Sequence, residues 1–262
     1  KRNLQHDIFE LDLSDVAASV LKIEPLKPDL IIGGPPCQEF SISGKRSEGG
    51  KAQLTLCFAG IVSSVLPKFF VMENVYNIEK SKTIHEARRI LENAGYEFSS
   101  VVVDASYIGV PQMRKRYFLI GAPKGSRIAS LTVEAIVAGQ SVNRTTVHDY
   151  FGADLDLEFY YAHPRSYQRR AVFSVNEPSA TIRRVNRPIP ENYKRHPADK
   201  SDINSSLRPL TFMERAQVQT FPRNYEFLGS KTNIETMIAN AVPVKLAEYI
   251  AKKLMETQYL VK

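Results

Sequence analysis

The stretch DLIIGGPPCQEFSISGK, residues 29–45, runs an apolar strand into two glycines, two prolines and a cysteine. Pro35 and Pro36 fix their own φ and bias the residue before each away from helix, while Gly33 and Gly34 permit close backbone approach by a ligand. Cys37 is thereby presented from a stiff loop at a strand end. A thiol attacks as its thiolate, so this reading asks for an electropositive setting, for which Lys45, Arg46 and further arginines are available. Taken alone, an isolated cysteine reads instead as a small buried hydrophobe.

The flanking sequence alternates. DLIIGG (29–34), KFFVMENV (68–75), FSSVVVD (98–104) and RYFLIGA (116–122) read as short buried strands rich in Val, Ile and Phe. Helices are predicted from Leu54 to Leu66, ending at Pro67, and over SKTIHEARRILENAGY, where Ile84, Ala87, Ile90, Leu91 and Ala94 keep helical spacing before Gly95. Such alternation implies an α/β domain with a mostly parallel sheet and ligand sites outside the carboxyl ends of its strands. Cys37 lies at one such end, and Glu73 and Asn74 lie at the next, where desolvation would raise a glutamate pKa and let it act as an acid. In GVPQMRKRYFLIG, Gln112, Arg114 and Arg116 alternate into a further strand, so two guanidinium groups on one face can converge on a phosphate or a carbonyl oxygen.

A chain of 262 residues suits one large domain or a core domain with a smaller insert. Its net charge of +7 favours a polyanionic partner such as nucleic acid. No run of about eighteen uncharged apolar residues occurs and the first residues lack the apolar stretch of a signal peptide, so a cytoplasmic location with no membrane role is expected. Cys37 and Cys57 show no metal-ligand spacing, nor do His148, His163 and His196, and no metal site is expected.

The alternation breaks after about residue 126. Residues 163–200 carry nine Lys/Arg against three acids, Glu177, Glu191 and Asp199, and read as a basic, loop-rich module or as a solvated surface. NAVPVKLAEYIAKKLMET then predicts a helix with Pro243 in its first turn and Leu246, Ala247, Ile250 and Leu254 on one face. The expected organisation is a core domain over 1–126, an insert over 127–222 and a return to the core over 223–262.

The segments GGPPCQ.FS, MENV, GVPQ.R.R, R.LT..E.A..Q.FP (208–222) and NAVP..LA, together with matches from about residue 7 to residue 254, resemble in order the motif set of DNA cytosine carbon-5 methyltransferases. The resemblance implies a Rossmann-like S-adenosylmethionine-dependent methyltransferase fold, with a smaller target-recognition domain inserted. It makes Cys37 the nucleophile on carbon 6 of a flipped-out cytosine and Glu73 the group that hydrogen-bonds or protonates ring nitrogen 3, with Asn74 holding that loop. Of Arg114 and Arg116, one binds the cytosine carbonyl and the other supports it. The base that removes the carbon-5 proton is not identified.

On the cofactor side the resemblance implies Asp7 and Ile8 at the adenine, Pro35 and Leu54 beside the cofactor, and Asn240, Ala241 and Val242 closing its pocket. Without it, Asp7 reads as a strand-end carboxylate and Leu54 and Val242 as core packing. On the DNA side it implies Ser41, Ser43 and Thr181 at backbone phosphates, and Arg169, Arg170, Arg183 and Arg184 at phosphates or guanine edges. The 208–222 helix reads as structural, with Arg208 orienting it.

The family's opening strand with its Phe-x-Gly-x-Gly loop, its ribose-binding acid and an Asp-x-Arg before the leucine are not found in these residues, and Glu39 stands where a small residue is usual. A longer protein, segments left out, and a partner subunit that completes the cofactor site all remain open as explanations. The expected protein is a monomeric bacterial or phage enzyme of the cytoplasm or nucleoid, acting on double-stranded DNA beside a cognate restriction enzyme. A tRNA cytosine methyltransferase and a non-catalytic DNA-binding subunit are the alternatives.

Overall fold

The computed structural model describes residues 7–36, 53–166, 168–204 and 206–260. These fall into two units, one formed by 7–103, 115–139 and 251–260, the other by 104–114 and 140–250. The division differs from the sequence boundaries at 126 and 222.

The first unit is built on a four-stranded sheet of β1 (Leu30–Gly33), β2 (Phe69–Val75), β3 (Tyr96–Asp104) and β4 (Lys115–Pro123), in the order β1-β2-β4-β3. β1 and β2 are parallel, Leu30 opposite Phe69 and Gly33 opposite Met72. β4 runs antiparallel to β2, from Phe70 opposite Gly121 to Val75 opposite Arg116. The sheet is therefore mixed, which corrects the mostly parallel expectation. Residues 105–114 hold a 3-10 turn over Ala105–Ile108 and an isolated bridge at Gln112, too little for the helical crossover that a parallel return from β3 would need.

The apolar runs arise because the central strands are covered on both faces: Phe70, Val71 and Met72 of β2 and Tyr117 to Ile120 of β4 are all buried. α2 (Gln53–Val65) and α3 (Lys82–Asn93) pack Ala59, Val62, Ile84, Ala87 and Leu91 against Phe70, Met72, Tyr117 and Leu119. Each such side chain contributes about 1.5–3 kcal/mol on full burial. α2 stops where Leu66 takes a left-handed φ of 55° ahead of Pro67, and α3 starts on the Ser81 hydroxyl, which accepts from Ile84 N. α1 (Val16–Ile23) packs against α2, and α4 (Ile128–Ala138) packs on β4, which places residues 127–139 with the sheet. Gly121 makes room for its partner across the strands, because a Cβ there would lie 1.9 Å from Phe70 Cε1.

The second unit contains α5 (Val147–Phe151), a two-stranded ribbon of β5 (Phe159–Tyr161) and β6 (Val172–Ser174), α6 (Phe212–Val218) and α7 (Lys231–Asn240). Its core gathers Val147, Phe151, Tyr160, Phe173, Leu210, Val218 and Ile238. Between β6 and α6 the described residues form only turns, loops and isolated bridges. α8 (Val244–Leu260) buries Leu246, Ile250 and Leu254, one residue per turn, whereas Ala247 stands exposed at the edge of that stripe, contrary to expectation. Pro243 sits just ahead of this helix, its carbonyl accepting from Ala247 N.

Candidate active site

In the sheet unit the site grows from the β2–β4 register. Glu73 faces Phe118 and Arg116 faces Val75, so Glu73 and Arg116 are diagonal neighbours on one face, within reach of two long side chains. Arg116 Nε donates to Glu73 Oε1 at 2.8 Å, with the two side chains 14% and 16% exposed. The strand-end reading of Glu73 did not include this guanidinium partner. Asn74 is buried, its Nδ2 donating to Pro35 O at 3.1 Å and its Oδ1 accepting from Val75 N. The end of β2 is thereby fastened to the main chain two residues ahead of Cys37. A Cβ at Gly34 would lie 3.2 Å from Glu73 Oε2, so a side chain there would require the Glu73 carboxylate to shift by a few tenths of an ångström. Cys37, Ser41 and Ser43 lie outside the described residues.

The other cofactor-side candidates of this unit are Asp7, Ile8, Pro35 and Leu54. Asp7 and Ile8 are exposed and belong to no strand, which corrects the strand-end reading of Asp7. Pro35 is half-buried, as is Leu54 in the first turn of α2. An exposed carboxylate beside an exposed isoleucine offers one acceptor for an amine and apolar surface for a flat ring.

The second unit holds Arg114. Arg114 is 2% exposed and donates to Ala239 O at 2.9 Å, Ala241 O at 3.0 Å and Ile182 O at 3.4 Å. The last carbonyls of α7 lack intrahelical partners and draw a cation, and Arg114 serves them. Buried Gln112 donates to Gln219 Oε1 at 2.8 Å and accepts from Ile182 N, while Gln219 donates to Ile238 O and Ala241 O. Asn240 is exposed and Ala241 and Val242 are half-buried. Arg208 forks onto Glu214 through two bonds of 2.8 Å and so steadies the Thr211–Glu214 capping box of α6.

The arginines expected at DNA divide. Arg169 and Arg184 are exposed. Arg170 is half-buried, bound to Glu177 by bonds of 2.9 and 2.8 Å with its guanidinium 4.2 Å above the Phe173 ring, so within the fold it already has an acid and an aromatic partner. Arg183 donates to His163 O; burial, with Arg165, Arg215 and Arg169 nearby, pushes it below the usual arginine range. Burial and the charges of Arg187 and Arg183 likewise hold His163 below its ordinary value. Positive charge is therefore concentrated here against its own repulsion. Thr181 is exposed, its hydroxyl donating to Met113 O at 2.7 Å.

Two residues that matter locally were counted in the sequence only as acids in a basic stretch. Glu177 holds Arg170, and Asp199 accepts from Ala171 N, Val172 N, His196 N and the Tyr193 hydroxyl. Their scarcity among nine basic residues was the available signal. Cys57 is buried, and that burial pushes its thiol up, a setting opposite to that of a nucleophile. Among the described residues no three His, Cys, Asp or Glu gather as a metal site would require.

The fold is shared with solved methyltransferases. The Entamoeba histolytica methyltransferase EhMeth superposes with a TM-score of 0.71 at 17% identity, over 98% of this chain and 85% of that one. The S. pombe Dnmt2 methyltransferase gives 0.67 at 19% identity, over 95% and 84%. The architecture is thus that of the Rossmann-like methyltransferases. The family model for C-5 cytosine-specific DNA methylase matches residues 1–256, and the chain belongs to that family. It is 52% identical over 257 residues to the Type II methyltransferase M.HgiDI of Herpetosiphon aurantiacus, covering 97% of this chain and 82% of the relative. To the Type II methyltransferase M.HindV of Haemophilus influenzae it is 46% identical, covering 97% and 84%. The resemblance carried by the five motifs is borne out.

Proposed function

We propose that the protein transfers a methyl group from S-adenosylmethionine to carbon 5 of a cytosine flipped out of a specific duplex DNA sequence, through a covalent adduct at Cys37. The observation that carries this reading is the strand end itself: Asn74 bonded to Pro35 beside a Glu73 already paired with Arg116. Family membership and the two Type II methyltransferase relatives support DNA over tRNA as substrate. The concentration of Arg165, Arg169 and Arg183 supports phosphate contacts from within 127–222, the segment assigned to target recognition.

Cys37 adds as thiolate to carbon 6 of the cytosine, forming a carbon–sulfur bond and moving electrons onto the ring. Glu73 relieves the growing charge at nitrogen 3 by a hydrogen bond or a proton, and Arg116 relieves it at the carbonyl oxygen with a planar fork of donors. S-adenosylmethionine supplies an electrophilic methyl group, and Asp7, Ile8, Pro35, Leu54, Asn240, Ala241 and Val242 are assigned to hold it. Loss of the carbon-5 proton to a base then lets the Cys37 thiolate leave. Arg114 acts in this scheme as a positioning residue, through the carbonyls of Ala239 and Ala241. A cognate restriction enzyme of the same system, and a monomer working in the bacterial cytoplasm or nucleoid, complete the proposal. Among the described residues no helix is long and apolar enough to cross a membrane.

Bisulfite sequencing of a random-sequence duplex incubated with the protein and S-adenosylmethionine tests the reading, with Cys37→Ser as control. Methylated cytosines in one short context, absent from the control, are expected. Methylation that persists in Cys37→Ser would remove the nucleophile, and methylation of tRNA but not of duplex would move the substrate to RNA.

A further inference from the structure

We infer that Asp199 is a positioning residue for DNA binding, one buried carboxylate that sets the spacing of basic side chains on two stretches of chain, 169–172 and 193–200. The inference rests on the reading that this basic module meets DNA.

Asp199 is 6% exposed. Its Oδ1 accepts from Ala171 N at 2.8 Å and Val172 N at 2.9 Å, and its Oδ2 accepts from His196 N at 2.8 Å and the Tyr193 hydroxyl at 2.6 Å. Four donors use the roughly four acceptor positions a carboxylate has, and bonds to an ionised acceptor are short and strong. The main chain adds to the tie, with Asp199 N donating to His196 O and Lys200 N to Val172 O. The Tyr193 ring meets Tyr161 edge to face at 5.8 Å, and the Tyr161 hydroxyl lies 3.3 Å from His163 Nδ1. His163 in turn offers its carbonyl to Arg183.

Every anchored stretch carries basic side chains next to its anchor. Arg169 lies two residues before Ala171, Lys194 and Arg195 lie between Tyr193 and His196, and Lys200 adjoins Asp199. Arg195 is engaged by Asp202 at 3.0 Å, which leaves Arg169, Lys194 and Lys200, all exposed, as the cations whose spacing Asp199 controls. Phosphates recur at fixed intervals along a duplex, so several cations meet them together only when their own spacing is held. Arg169 lies just ahead of β6, while Lys194 and Lys200 lie between β6 and α6, where no ladder holds the chain; the carboxylate ties that loop to the start of β6.

The test is a salt titration of binding to a labelled random-sequence duplex by the wild-type protein, Asp199→Asn and Tyr193→Phe, with thermal unfolding and S-adenosylmethionine binding measured alongside. Asp199→Asn replaces an acceptor oxygen with a donor amide, and Tyr193→Phe removes a single hydrogen bond while keeping the ring. For Asp199→Asn the expected result is a roughly tenfold or greater loss of duplex affinity and a log–log salt slope shallower by about 2, two phosphate contacts at about 0.9 each, with cofactor affinity unchanged. Tyr193→Phe should shift both in the same direction by less. Wild-type affinity and slope in Tyr193→Phe and in folded Asp199→Asn overturn the inference, even if unfolding temperatures fall, because a purely structural role lowers stability without changing the number of phosphates met. If Asp199→Asn does not fold, Tyr193→Phe decides alone. Absence of salt-dependent duplex binding by the wild-type protein overturns the DNA reading itself.

Discussion

Glu73 and Arg116 meet at 2.8 Å because β4 pairs with β2 in a register that makes them diagonal neighbours. A slip of one residue would send the two side chains to opposite faces of the sheet, since side chains alternate along a strand. The pair is thus a product of strand pairing, and its chemistry depends on that pairing.

Glu73→Gln and Arg116→Ala should each lower the rate of methyl transfer by about a hundredfold or more, the usual scale for a lost proton-transfer or anion-stabilising group. Arg116→Lys should recover only part of the loss, because an ammonium lacks the planar fork. Initial rates with labelled cofactor on a duplex substrate provide the check. A wild-type rate in Arg116→Ala would take Arg116 out of the chemistry.

Arg114 should behave differently. Arg114→Met leaves the carbonyls of Ile182, Ala239 and Ala241 without these donors inside the protein and is expected to cost about 2–4 kcal/mol of stability. Urea unfolding measures it. An unchanged midpoint would mean that the carbonyls find other donors at no cost.

Burial works against the charge of Asp199, and hydrogen bonds from Tyr193, Val172, His196 and Ala171 outweigh it, holding the carboxyl below its usual range. A folded value below the unfolded one of about 3.9 means that the stabilisation is complete above the unfolded value and is lost as pH falls through the folded one. Asp199→Asn should therefore be less stable than wild type near neutral pH, with the gap closing in acid. Unfolding midpoints measured down to about pH 2.5 would show this. A gap that does not change with pH would place the effect elsewhere than in the charge.

Arg169 and Arg170 are neighbours in sequence with separate tasks. Arg169→Ala should weaken duplex binding and make the salt slope shallower by about 0.9. Arg170→Ala should cost about 1–2 kcal/mol of stability through Glu177 and Phe173, with a smaller change in the salt slope than Arg169→Ala. Identical salt behaviour of the two variants would show that the division drawn from their partners does not govern binding.

Much of the fold was legible in the letters. The four strands lie within two residues of where their apolar runs predicted them, and α2 and α3 end two residues ahead of Pro67 and Gly95, the punctuation that marked their stops. The order of motifs pointed to the family to which the chain belongs. Those features are local: strand and helix periods, and the φ restrictions of Pro and Gly, are written within a few residues.

Only the tertiary structure decided that β4 runs antiparallel to β2, that Arg116 meets Glu73 and Arg114 meets the carbonyls of Ala239 and Ala241, that Arg170 pairs with Glu177, and that Asp199 gathers its four donors. Each outcome turns on a partner that no periodicity encodes. Arg114 and Ala239 stand 125 residues apart, and Ala171 and Asp199 stand 28 apart. A buried charge takes whatever donors or acceptors the fold brings to it, because leaving it unpaired would cost more than any local preference supplies.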